Sequence, residues 1–215
     1  MGTELWLQRK ALLIADEMGI GKTLQALAGF TQSETLPAAV IVKVGIIPQW
    51  VREAERCLPG IRVHTLKTRK VAPLPPADIY ITSYTRLNAW AETLAKIVSS
   101  VVFDEIHELR HRDTGKYAGA RHLTSTLAGK GGYRLGLSGS PIFNYGDEMY
   151  SAIDLLDEGV LGTFEEFSRE WCENSTGHLK VRDTVAFGRL LLDQGLMLRR
   201  TKKDVAIELP KRTRI

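Results

Sequence analysis

The chain has 215 residues, 44% hydrophobic and 25% charged, enough for one sizeable α/β domain with small appendages. No apolar run reaches the length of a membrane span, the N-terminus MGTELWLQRKALLIA lacks a small-residue cleavage site, and Cys57 and Cys172 are too few and too far apart for a disulfide scaffold or a metal knuckle, so a soluble intracellular protein is expected. The net charge of +4 sits in the tail: from Leu196 onward seven basic residues (Arg199, Arg200, Lys202, Lys203, Lys211, Arg212, Arg214) face Asp204 and Glu208, leaving 22 basic against 23 acidic residues before them. Such a tail can meet a phosphate backbone, or simply be a solvated helix face or charged connector.

Short apolar runs at 11–15 (ALLIA), 39–44 (AVIVKV), 61–66, 79–83, 101–103 and 133–137 predict strands. They are mostly continuous rather than alternating, as expected for a parallel sheet covered on both faces. Helical patterns over 22–30, 49–57, 85–99 and 116–127 separate them, so the expected fold is α/β, with a central, mainly parallel sheet between helices. The stretch APLPPA at 72–77 is a stiff loop, too short to be a domain linker. After Pro141 the strand pattern ends, and 147–156, 164–172 and 185–192 predict helices, a helical C-terminal extension.

Three motifs carry chemistry. The first, DEMGIGKT, spans Asp16 to Thr23 between the strand ALLIA and a helix. That is the context of a phosphate loop, in which glycines turn the backbone so that N–H groups converge on phosphate oxygens at a helix N-terminus. Lys22 adds a cation for the terminal phosphates and Thr23 a hydroxyl for Mg²⁺. Asp16 stands where the first glycine of the usual pattern would be. The second motif, VVFDEIH at Val101 to His107, ends an apolar strand in two carboxylates. In phosphate-loop enzymes the first, here Asp104, holds Mg²⁺ and the second, here Glu105, polarises the attacking water. Opposite directions of adjacent side chains on an extended strand would keep the two roles apart; a DE pair can otherwise merely cap the next helix. The third, LGLSGSPIFN at Leu135 to Asn144, sets small hydroxyl residues after a strand, where they can sense a γ-phosphate or form a plain turn.

In that order and spacing, DEMGIGKT, DEIH and LSGSPIFN resemble motifs I, II and III of the Swi/Snf-type ATPases of helicase superfamily two. IIPQWVREAER (Ile46 to Arg56) resembles motif Ia, IYITSYTRL (Ile79 to Leu87) motif Ib, and GDEMYSAIDLLDEGVLGTFEEFSREW (Gly146 to Trp171) the segment after motif III. MLRRTKKDVAIELPKR (Met197 to Arg212) is similar to the passage from the first lobe toward the second, and with DEMGIGKT it separates this family from DEAD-type and DEAH-type RNA helicases. The resemblance implies a RecA-like lobe over 1–145, and over 146–215 a helical extension that starts the connection to a second RecA-like lobe, in the same or another chain. It implies ATP binding by Gly19, Ile20, Gly21, Lys22, Thr23 and Leu24, Mg²⁺ binding by Thr23 and Asp104, and catalysis by Lys22, Asp104 and Glu105. Coupling to DNA falls to His107, Ser138 and Ser140, and contact with double-stranded DNA to Gln49, Trp50 and Ser83. The implied activity is ATP hydrolysis that drives movement along duplex DNA, in the nucleoid or the nucleus. The alternative is a non-hydrolysing DNA- or protein-binding module that keeps the fold.

Further expectations follow. Lys22, Asp104 and Ser138 should lie at the C-terminal ends of parallel strands, on one edge of the sheet. Arg110, His111, Arg112 and Lys116 should lie on the surface in a loop and the helix after it. The adenine-reading glutamine of the family stands some two dozen residues before motif I, a position upstream of Met1; Gln8 is too near to serve. The second lobe, with motifs V and VI and the arginine that stabilises the transferred phosphoryl, would follow Ile215, so the chain is expected to be a fragment, a truncated gene product or one part of a split enzyme.

Overall fold

The apolar runs become strands because a parallel sheet with helices on both faces buries most of the side chains it carries. The structure, a computed structural model, describes residues 1–139, 146–175 and 178–205. The chain opens with α1 (Gly2–Arg9), β1 (Ala11–Ile14), α2 (Lys22–Gly29), β2 (Ala38–Val42), α3 (Ile47–Cys57) and β3 (Val63–Thr65). It continues with β4 (Ile79–Ser83), α4 (Tyr84–Ile97), β5 (Ser100–Asp104), α5 (Gly115–Gly129) and β6 (Tyr133–Leu137). Then come α6 (Gly146–Leu156), α7 (Phe164–Trp171), β7 (Cys172–Ser175), β8 (His178–Val181), α8 (Thr184–Asp193) and β9 (Met197–Leu198).

Seven strands form one sheet in the order β3-β4-β2-β5-β6-β1-β9, and every pairing in it is parallel. Alternation along β1 divides the core into two layers. Leu12 and Ile14 pack with Trp6, Ala26, Leu27, Phe30 and Trp50, the face covered by α1, α2 and α3. Leu13 and Ala15 point to the other face, among Tyr84, Leu87, Leu94, Leu123 and Ile153 of α4, α5 and α6. The helix α1, which the sequence reading did not anticipate, is held by Trp6, 0% exposed and edge-on to Phe30 and Tyr133. Among the described residues no helix is long and apolar enough to cross a membrane.

The expectation of a purely helical continuation after Pro141 is corrected. β7 and β8 pair as an antiparallel hairpin, and β9 joins the main sheet beside β1 through Leu13↔Met197 and Ile14↔Leu198. Neither is legible as an apolar run. β9 is two residues long, and β7 reads CENS, so pairing rather than local pattern makes them strands. Buried residues of α6, α7 and α8, including Met149, Phe167, Phe187 and Leu191, belong to the same core layer as α4 and α5.

The register sets the position of the site. Ile14 pairs with both Leu137 and Leu198, and Leu137 pairs with Asp104. The segments that leave β1, β5, β6 and β9 therefore emerge together at the C-terminal edge of the sheet, where open α/β sheets bind ligands.

Candidate active site

Motif I is shaped by its backbone. β1 delivers the chain to Asp16, after which Gly19 and Gly21 take φ values of 91° and 82°. A residue with a Cβ pays about 1–2 kcal/mol for that left-handed conformation, so glycine is the fitting residue at both turns. Turns of this hand let successive N–H groups converge on an anion at the start of a helix. Lys22 is the first residue of α2, and its Nζ donates to the carbonyls of Asp16 (2.8 Å) and Glu17 (3.4 Å). Burial lowers the Lys22 ammonium pKa, against the opposing pull of Glu105, Asp16 and Asp104. Ile20 and Thr23 are half-buried and Leu24 is exposed.

Asp104 is the last residue of β5. Its Oδ2 accepts a hydrogen bond from Trp50 Nε1 at 2.8 Å, and its carbonyl accepts one from the Tyr84 hydroxyl at 2.7 Å. Burial pushes the Asp104 carboxyl up, while the Trp50 indole, which favours the charged form, pulls it down; Glu105 and Lys22 act in opposite senses after these. Glu105 does not continue the strand. Its φ of 57° and ψ of 58° place it in the left-handed region. The two carboxylates are separated by this turn and not by strand alternation, a correction to the expected geometry. The conformation costs about 1–2 kcal/mol, and strain of that kind concentrates at functional sites.

The turn brings Glu105 to motif III. Its Oε2 accepts from the Gly139 amide at 3.4 Å and lies 3.2 Å from His107 Nδ1. His107 is the largest influence holding the Glu105 carboxyl below the usual range; partial burial opposes it and the Gly139 amide assists. A Cβ on Gly139 would sit 2.8 Å from Met18 Cγ, 3.5 Å from Lys22 Nζ and 3.7 Å from Glu105 Oε1. Three motifs thus meet around one glycine. Ser138 is buried, and its amide donates to the Ile14 carbonyl. Ser140 lies outside the described residues.

The arrangement offers a cation and an amide-lined turn for a polyphosphate, one carboxylate for a dication and a second for a water. Among the described residues no three His, Cys, Asp or Glu side chains converge as a metal site. A hydroxyl and a carboxylate such as those of Thr23 and Asp104 are donor types that Mg²⁺ takes alongside phosphate oxygens and water.

Residues 3–215 match the family of the SNF2-related domain. The chain belongs to that family. It is 29% identical over 215 residues to YwqA of Bacillus subtilis, covering 93% of this chain and 22% of that protein. It is 30% identical over 226 residues to the human DNA excision repair protein ERCC-6-like, covering 92% of this chain and 18% of that protein. The chain therefore spans about a fifth of the length of these relatives. The Sulfolobus solfataricus SWI2/SNF2 ATPase core in complex with dsDNA superposes with a TM-score of 0.78 at 28% identity, over 96% of this chain and 44% of that one. A second structure, the Sulfolobus solfataricus SWI2/SNF2 ATPase core domain, gives 0.75 at 28% identity. The fold of this SNF2-related domain is RecA-like.

Within the SNF2-related domain, the residues expected to touch DNA divide. Gln49 is exposed, next to the exposed Lys43–Ile46 turn. Trp50 and Ser83 are each 1% exposed and present almost no surface of their own. Trp50 lies with Ile47 and Ala54 on the buried stripe of α3, which turns the indole toward the sheet. Ser83 ends β4 opposite Val42, inside the sheet, with its hydroxyl 2.9 Å from that of the exposed Thr85. Of the residues after motif II, His111 and Arg112 are exposed, and Arg110 and Lys116 are half-buried beside Glu148 and Glu108. The Arg112 guanidinium lies over the rings of Tyr150 and Phe164. Lys211, Arg212, Arg214 and Glu208 of the basic tail lie outside the described residues.

Sequence reading missed the supports of the site. Trp50 orients Asp104, and Asp16 is fully buried against Arg200 and Gln25. The available signal for the second was an acid in place of the first glycine of motif I. Trp50→Phe is expected to cost about 1 kcal/mol by leaving a half-buried carboxylate oxygen short of a donor. Because the lost bond favoured charged Asp104, the acidic limb of Mg²⁺-dependent nucleotide binding should move to higher pH. Denaturant midpoints and binding titrations across pH read both effects, and an unchanged acidic limb counts against Asp104 as a metal ligand.

Proposed function

We propose that this SNF2-related domain is the ATP-binding first lobe of a DNA-dependent ATPase that moves along duplex DNA when joined to a second RecA-like lobe. The observation that carries the reading is the meeting of Lys22, Glu105 and the Ser138-Gly139 turn around a single glycine, with Asp104 one residue away. The solved core of similar fold is bound to dsDNA, and this chain covers less than half of it, which supports a second lobe elsewhere.

In this reading the turns at Gly19 and Gly21, with Ile20, Thr23 and Leu24, enclose the phosphates, and Lys22 exchanges its two carbonyl partners for phosphate oxygens. Thr23 and Asp104 would hold Mg²⁺, which supplies charge neutralisation on the terminal phosphates. Glu105, kept ionised by His107 and the Gly139 amide, accepts the proton of the attacking water. Gly139 touches Glu105 through its own amide, so a shift of motif III on phosphate loss moves the group that handles water. Gln49 and Thr85 mark the surface proposed for DNA. The protein so read works in the nucleoid or the nucleus.

The test is ATP turnover by residues 1–215, alone and fused to the second lobe of a relative, with and without duplex DNA. The fusion should be stimulated by DNA. Alone, the lobe should run roughly 10³–10⁵ slower, the contribution of a transition-state arginine in related phosphoryl transfer. DNA-stimulated turnover above about one per second from the lobe alone, within the usual kcat range of enzymes, would overturn the two-lobe reading.

A further inference from the structure

The segment that leaves β9 returns to motif I and grips it from outside. Asp16 is 0% exposed, and its carboxylate accepts from the Arg200 backbone amide at 2.9 Å and from Arg200 Nε at 3.2 Å on each oxygen. Arg200 Nη2 also reaches Asp16 Oδ2 and, at 2.8 Å, Gln25 Oε1; Gln25 Nε2 closes the ring on Asp16 Oδ2 at 3.0 Å. The next residue is held as well. The Glu17 amide donates to the Arg200 carbonyl at 2.9 Å, and the Lys202 amide donates to Glu17 Oε2 at 2.8 Å.

Asp16 and Glu17 are the two residues whose carbonyls hold Lys22 Nζ. One pair of residues is therefore bound on its outer side by the 200–202 segment and on its inner side by the phosphate-loop lysine. We propose that Arg200 is a positioning residue of the phosphate loop: through Asp16 it sets the path of 16–17, and so the place from which Lys22 meets a nucleotide. The inference rests on the nucleotide-binding reading of motif I. A guanidinium suits the task because its planar fork engages both carboxylate oxygens and still has a donor for Gln25, which an ammonium cannot match. Displacement of the 200–202 segment would slacken 16–17 and weaken nucleotide binding, so nucleotide binding should in turn hold that segment in place.

The test is titration calorimetry of Mg-ATP on the full chain, with the binding-competent fraction fitted, for wild type, Arg200→Gln, Arg200→Lys and the double variant Asp16→Asn/Arg200→Gln. Arg200→Gln should weaken binding about tenfold per competent molecule, and the double variant should be no weaker, because both changes break one contact. Arg200→Lys should recover part of the loss, since it keeps the charge without the fork. A purely structural arginine would lower the folded fraction and leave the affinity of the remainder within about twofold of wild type, which overturns the proposal. If Arg200→Gln does not fold, Glu17→Ala, at an exposed position, removes the acceptor of the Lys202 amide and should weaken binding about threefold, a loss in the range of one contact; unchanged affinity there also overturns it. Failure of wild type to bind Mg-ATP sinks the nucleotide reading and this inference with it, whereas wild-type affinity in Arg200→Gln sinks this inference alone.

Discussion

Lys22→Ala is expected to weaken Mg-ATP binding by about a hundredfold, while the thermal midpoint of the free protein stays close to wild type. The lysine is half-buried at the first turn of α2 and its partners are main-chain carbonyls that water can reach once the ammonium is gone. Little packing is lost. The loss falls on the complex, where a charge-assisted hydrogen bond to phosphate contributes about 1.5–3 kcal/mol and the amide turn alone must hold the anion. The lowered pKa of Lys22 has burial as its first cause, so an arriving polyphosphate meets a partly desolvated ammonium and the pair forms at reduced cost. Titration calorimetry with and without Mg²⁺ gives the comparison. Equal affinities in the two proteins would remove motif I from phosphate binding.

Glu105→Gln should leave Mg-ATP affinity within about threefold of wild type and lower turnover of the two-lobe enzyme by about 10²–10⁴, the range of a lost general base. The amide has the same shape and can keep the left-handed turn and a contact with the Gly139 amide. It cannot take a proton. His107 makes Glu105 a stable carboxylate and so a modest base, which fits a water already polarised by its surroundings more than one that must be fully deprotonated beforehand. Single-turnover measurements at saturating Mg-ATP separate chemistry from binding. A large loss of affinity with unchanged single-turnover rate would assign Glu105 to binding instead. The two substitutions thus predict opposite splits, one in Kd and one in kcat, from side chains that both lie within 4 Å of a Cβ placed on Gly139.

The chain alone determined the layout of the lobe because its signals are local. The runs at 11–15, 79–83 and 133–137 have the length and composition of strands, and the helical patterns that alternate with them point to a parallel sheet covered on both faces. The spacing of DEMGIGKT, DEIH and LSG then named the residues at the strand ends. The register of β1, β5 and β6 brings them to one edge. The left-handed glycines of motif I were legible too, since their identity is itself the conformational requirement.

What the tertiary structure decided depends on contacts between residues far apart in the chain. β9 exists because two residues find β1, where Leu13 pairs with Met197 and Ile14 with Leu198, and no local pattern announces it. Trp50 looks like an exposed aromatic beside a Pro-Gln pair until the helix phase turns it inward onto Asp104, 54 residues on. Ser83 looks like a turn hydroxyl until sheet order places β4 between β2 and β3. Asp16 looks like a lapse in a glycine motif until Arg200, 184 residues later, fills the space beside it. In each case the side chain's type was fixed by the sequence but its environment was not. Burial, and with it charge state and partner, is a property of the packed layers and of where the chain returns to them.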